Sequence, residues 1–175
     1  MKLLNRIAYL TFSILLAMNL VGDFMYAADA ESGAATTIIL IRHVERDNFF
    51  IVTAQGHERA RALVTAVGGM GITAIYSPDL ARNLDTVKPL AKHLGLDITL
   101  IPRLSKKAAD ELVSQILAKH AGEVILLVGN GSGNLRALHH HLGAAGEGPY
   151  AYGDLFIYEI PEQGPVKIVK SRFGQ

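Results

Sequence analysis

Thr37-Ile38-Ile39-Leu40-Ile41-Arg42-His43 is the stretch on which the fold reading turns. A short β-branched, apolar run without alternation predicts a strand buried on both faces, as in a parallel sheet covered by helices. The run stops at an arginine and a histidine, so both are expected where the strand ends. Beyond it the chain alternates. Thr53 to Gly68 predicts a helix capped by Thr53, with Ala60, Leu63, Val64 and Val67 on one face. Thr73 to Tyr76 is a second strand. Asp79 to Leu94 is a second helix, ended by Gly95. Asp97 to Ile101 is a strand, and Lys106 to His120 a helix with Leu112, Ile116 and Leu117 inward. Glu123 to Val128 is the most apolar strand, and Ser132 to Leu142 a helix. Asp154 to Ile160 and Val166 to Ser171 flank the turn Pro161-Glu162-Gln163-Gly164.

Strands alternating with helices imply right-handed crossovers. The expected fold is α/β: a three-layer αβα sandwich, mainly parallel, with helices on both faces and a C-terminal edge hairpin. Upstream, residues 1–30 read as a signal peptide. Lys2 and Arg6 precede an apolar run of about 15 residues, Ile7 to Val21, and Ala28-Asp29-Ala30 forms an A-x-A cleavage site. A membrane span needs roughly 20 residues. The expectation is an exported protein, periplasmic or secreted, whose single domain is residues 31–175, with no membrane attachment after cleavage. Residues 31–36 are small and polar and read as its leading tail.

Half of the residues are apolar, enough for a core at this size. A net charge of +1 argues against a nucleic-acid partner. The absence of cysteine makes the chain indifferent to an oxidising compartment. Nothing in the sequence fixes an oligomeric state.

In a parallel sheet, ligands bind beyond the carboxyl ends of the strands. Three loops qualify: Arg42-His43-Val44-Glu45-Arg46, Ser77-Pro78-Asp79-Leu80-Ala81-Arg82, and Gly129-Asn130-Gly131-Ser132. The Arg-His pair after the first strand, the T-x-x-G of Thr53 and Gly56, and the Y-S-P-D-L-x-R of Tyr76 to Arg82 resemble the phosphoglycerate mutase-like histidine phosphatases. The closing Asp154-Leu155-Phe156 resembles exported bacterial members. The likeness extends from Thr37 to Gly174. It implies a phosphomonoester substrate and no cofactor.

The residue types suit that chemistry. A phosphomonoester carries close to two negative charges, and the planar forks of Arg42 and Arg82 can each grip two of its oxygens. A neutral His43 imidazole can attack phosphorus and carry the phosphoryl group, splitting the reaction into two steps. The amides of Gly129 to Ser132, Gly131 among them, can help to hold an anion at a helix N-terminus.

Two positions depart from the family. Relatives usually carry a second histidine after the fourth strand, where this chain has Asn130. Asn130 can donate a hydrogen bond but cannot shuttle a proton. Many relatives also place a glutamate where Arg103-Leu104-Ser105-Lys106 puts Lys106. The nearest substitute acids are Glu45, equally readable as a salt-bridge partner, and Asp79, which reads first as an acid favoured at a helix N-terminus. His139-His140-His141 does not predict a metal site, because consecutive helical residues point about 100° apart. His57, His93 and His120 read as surface or packing residues.

The sequence therefore supports two expectations. One is a phosphomonoesterase working through phosphohistidine at His43. The other is a pseudophosphatase that binds phosphorylated ligands without turnover. Retention of His43 favours the first, while Asn130 and Lys106 favour the second. Mutase activity fits an exported protein poorly. Short segments around the pocket suggest tolerance of varied small phosphate esters.

Overall fold

The computed structural model describes residues 34–102, 106–131 and 134–174, with side chains in those ranges except at 106 and 107. The leader of residues 1–30, the Arg103-Leu104-Ser105 segment, the Lys106 side chain and Ser132 lie outside the described residues. Six strands and four helices alternate: β1 (Thr36–Arg42), α1 (Ala54–Val67), β2 (Ile72–Pro78), α2 (Ala81–Leu94), β3 (Ile98–Ile101), α3 (Lys106–Lys119), β4 (Val124–Gly129), α4 (Asn134–His141), β5 (Asp154–Ile160) and β6 (Lys167–Arg172). They form one sheet in the order β3-β2-β4-β1-β5-β6. β1 through β4 are parallel where they pair, while β5 runs antiparallel to β1 and to β6. The expected α/β sandwich and C-terminal edge hairpin are both present.

The unbroken apolar run of β1 serves two cores. Ile38 and Leu40 point into one, with Ile125 and Leu127 of β4, Phe156 and Tyr158 of β5, and residues of α3 and α4 such as Ile116 and Leu138. Ile39 and Ile41 point into the other, with Leu126, Val128, Leu155, and Leu63 and Leu90 of α1 and α2. All four β1 side chains are fully buried. Burying a large aliphatic side chain contributes about 1.5–3 kcal/mol, so this strand anchors both layers.

Boundaries shift in two instructive places. Thr53 caps α1 as expected, its hydroxyl accepting the Gly56 N–H at 3.1 Å. The second helix, however, begins at Ala81, with Leu80 as its uncapped N-cap. Asp79 thus lies exposed in the turn before the helix instead of opening it. The strand also runs longer than expected, to Pro78. Ser77 is fully buried there, its hydroxyl donating to the Pro78 carbonyl at 2.9 Å.

At the other end of the sheet, His120 is a packing residue. Its Nδ1 meets the Glu123 carboxylate at 2.7 Å, and its Nε2 meets the Tyr76 hydroxyl at 2.8 Å. The three consecutive histidines diverge. His139 is fully buried against the Tyr158 hydroxyl at 2.6 Å, His140 turns to the Ala144 carbonyl at 3.2 Å, and His141 pairs with Asp110. Among the described residues no helix is long and apolar enough to cross a membrane.

Candidate active site

The sheet brings the first and third loops side by side. Arg42 pairs with Gly129 across β1 and β4, and the His43 N–H donates to the Gly129 carbonyl at 3.1 Å. Adjacent strands lie about 4.8 Å apart, so Asn130 follows on directly beside His43.

His43 is buried, only 3 % exposed. Its Nδ1 lies 2.8 Å from the Val44 carbonyl. A carbonyl can only accept, so Nδ1 carries the proton and Nε2 keeps its lone pair. Burial lowers the imidazole pKa from 6.5 to about 4; the Val44 carbonyl opposes this, and the charges of Arg42, Arg82 and Arg46 reinforce it. His43 is therefore neutral at pH 7, the form a nucleophile needs.

Arg42 is boxed in. Its Nη1 donates to the Tyr150 carbonyl at 2.6 Å, and its guanidinium carbon sits 4.1 Å from the Tyr152 ring centroid. A Cβ on Gly131 would stand 3.2 Å from that same carbon. A methyl at Gly131 would therefore press on Arg42, which would have to give by a few tenths of an ångström. The Asn130 backbone N–H donates to the Asn134 side chain at 2.7 Å, while its own Oδ1 is buried without a hydrogen-bond partner.

Arg82 stands on the first turn of α2, and one residue of that helix connects it to the His43 loop. Thr86 is fully buried. Its hydroxyl donates to the Arg82 carbonyl at 2.7 Å and accepts the Val44 N–H at 3.0 Å. Val44 in turn holds His43 through its carbonyl. Thr86 thus braces the loop that carries His43, and the sequence reading missed it.

Glu45 forms the salt bridge that was one of its two readings. Arg59 Nε lies 2.9 Å from both of its carboxylate oxygens, and Arg59 Nη2 lies 2.7 Å from one of them. Burial alone would raise the Glu45 pKa, but Arg59 outweighs it and holds the carboxyl below its ordinary range. A carboxylate so held is a poor proton donor at neutral pH. The carbonyl of Glu45 also packs where a Cβ on Gly56 would fall, which explains the glycine of T-x-x-G.

Three further residues join the site. Arg46 adds a third positive charge near His43, and Tyr150 and Tyr152 contact Arg42. Tyr152 also lies 5.8 Å from His43, ring to ring.

Known proteins share this arrangement of sequence. The family model of the histidine phosphatase superfamily (branch 1) matches residues 38–106, which carry Arg42, His43 and Arg82. That match covers less than half of the chain, and over it the chain is similar to the histidine phosphatase superfamily. Within it, the "Probable phosphoglycerate mutase GpmB" of Escherichia fergusonii is 36 % identical over 63 residues, spanning 36 % of this chain and 29 % of that relative. The same fold recurs in YhfR of Bacillus stearothermophilus, at 19 % identity and a TM-score of 0.65, covering 77 % of this chain and 96 % of that one. It recurs in the protein histidine phosphatase SixA complexed with tungstate, at 14 % identity and a TM-score of 0.61, covering 78 % and 96 %. The phosphoserine phosphatase of Entamoeba histolytica, in complex with 3-phosphoglyceric acid, has a TM-score of 0.59 at 15 % identity, covering 80 % and 97 %.

Proposed function

We propose that this protein hydrolyses small phosphomonoesters through a phosphohistidine on His43. The observation that carries the reading is the state of that imidazole: buried, tied through Nδ1, and surrounded by the charges of Arg42, Arg82 and Arg46. Arg42 and Arg82 would grip the phosphoryl oxygens, with Asn130 and the Gly131 amide beside them. The Nε2 lone pair would attack phosphorus as the bond to the leaving oxygen breaks. Water would then displace the histidine, releasing phosphate and restoring the neutral imidazole. The three arginines suit this chemistry because phosphoryl transfer depends on positioning and on stabilising charge.

A second reading is a phosphate-binding pseudophosphatase. It is favoured by Asn130, which stands beside His43 and cannot become a cation. Removing one stabilising donor costs about 10²–10³ in rate in other enzymes. Both readings share a small phosphorylated ligand.

Turnover of an aryl phosphate by the wild type, with trapping of acid-labile phosphate on the protein, is the expected result, and His43→Ala should abolish both. Equal activity in the two proteins would sink the mechanism. Saturable phosphate binding without any turnover would establish the pseudophosphatase instead. We also propose export with cleavage after Ala30. Mature protein from the producing cell should begin at Glu31, and full-length chain recovered only from membranes would replace this with an anchor.

A further inference from the structure

The loop between β1 and α1 carries a feature the phosphatase chemistry does not use. Phe49, Phe50 and Ile51 are 82 %, 55 % and 64 % exposed, three large apolar side chains in succession. Phe50 adopts φ 67°, a left-handed conformation that bulky residues avoid. The turn that holds it is closely bonded. The Asp47 carboxylate accepts the Phe49 and Ile51 N–H groups at 2.8 and 2.9 Å. The Asp47 N–H donates to the Ile51 carbonyl at 2.8 Å, and the Phe50 N–H donates to the Asp47 carbonyl at 3.2 Å.

This strained turn aims the Phe50 ring at the pocket. The ring centroid lies 4.4 Å from the guanidinium carbon of Arg46 and 5.4 Å from that of Arg82. Across the site, the half-buried Tyr152 ring lies over Arg42. The arginines that would hold a phosphoryl group are therefore flanked by two aromatic rings, and Phe50 remains more than half exposed. A ligand anchored there by its phosphoryl group would carry its leaving group within reach of the exposed Phe50 ring.

We propose that Phe50 is a specificity residue that stacks against a planar aromatic leaving group, so the site favours aryl over aliphatic phosphate esters. Aromatic pairs gain energy beyond the area they bury, and a ring already fixed in place loses little freedom on stacking. Ring stacking, unlike general greasiness, explains why a rigid aromatic is held over the arginines at the expense of backbone strain.

This inference rests on the anion pocket proposed above, so its test reads binding and not turnover. Calorimetry would compare phenylphosphonate with methylphosphonate on wild type, Phe50→Gly and Phe50→Asn. Both replacements tolerate a left-handed φ, so the variants should fold at least as well as wild type. The expected result is a wild-type preference for phenylphosphonate that drops by about threefold to tenfold in both variants. An unchanged ratio overturns the proposal, including the case in which both ligands weaken equally because Phe50 merely props the arginines. Failure of methylphosphonate to bind wild type rejects the anion pocket itself and takes this inference with it. An unchanged ratio together with lost binding to anionic phospholipid vesicles would assign the loop tip to a lipid surface instead.

Discussion

Thr86→Val isolates the link between the two halves of the site, because it keeps the side-chain shape and removes only the hydroxyl. Thr86 is fully buried, so the Val44 N–H that it accepts at 3.0 Å would lose its partner with no water to replace it. Leaving a buried donor unsatisfied costs about 1–3 kcal/mol. The hydroxyl's other bond, to the Arg82 carbonyl at 2.7 Å, costs less to lose, because a helical carbonyl keeps its backbone partner. At roughly 3 °C per kcal/mol for a domain of this size, the melting temperature should fall by about 3–9 °C. The effect should not stop at stability. Val44 supplies the carbonyl that orients His43, and small misplacements of a reacting group can cost up to about 10²-fold. The expected outcome is kcat on an aryl phosphate down about tenfold or more, KM changed much less, and recovery in Thr86→Ser. Urea unfolding and steady-state kinetics on the three proteins would measure this. Loss of stability with kcat intact would refute the positioning role and leave Thr86 as a packing residue only.

Asn130→His should raise phosphatase activity by at least about tenfold, or about 1.4 kcal/mol of barrier, by supplying a second imidazole beside the phosphoryl group; no gain in an active protein would mean that Asn130 already serves the chemistry. Gly131→Ala should weaken inorganic phosphate binding about tenfold, measured by calorimetry, since its methyl would stand 3.2 Å from the Arg42 guanidinium carbon; unchanged affinity would place Arg42 outside the anion site. His43 makes stability depend on pH in a fixed direction. Its folded pKa of about 4 lies below the ordinary 6.5, so between those values the unfolded chain binds a proton that the folded chain excludes. Its contribution is intact above pH 6.5 and is lost as pH falls toward 4; His43→Asn should flatten that part of the urea-stability profile, and an identical slope would contradict the buried neutral state.

The fold was legible because its signals were redundant. β1 shows its two-sided burial in four consecutive residues, and Thr53 is both a sequence cap and a bonded one. The positions of Arg42, His43 and Arg82 were legible because they fall at strand ends or at the first turn after one. Asp79 misled because acids favour helix starts, whereas here β2 extends to Pro78 and delays the helix to Ala81. Tyr150 and Tyr152 escaped for a topological reason. The search covered loops after parallel strands, but β5 runs antiparallel to β1, so the loop before β5 arrives at the same edge. Thr86 escaped because a buried hydroxyl in a helix reads as ordinary until the Val44 N–H is seen to end on it. Glu45 could not be decided from sequence, because Arg59 is fourteen residues away and meets it only once α1 is docked.

Arg59 also sets a rule for anyone attaching something to this molecule. Besides gripping Glu45, it donates to the Phe173 carbonyl at 2.9 Å and to the Gly174 carbonyl. Pulling on the backbone at those last residues would be felt, through one side chain, two positions from His43. A fluorophore or affinity handle placed there would be wired to the candidate site. The exposed turn of Glu162, Gln163 and Gly164 has no such connection among the described contacts and is the quieter attachment point.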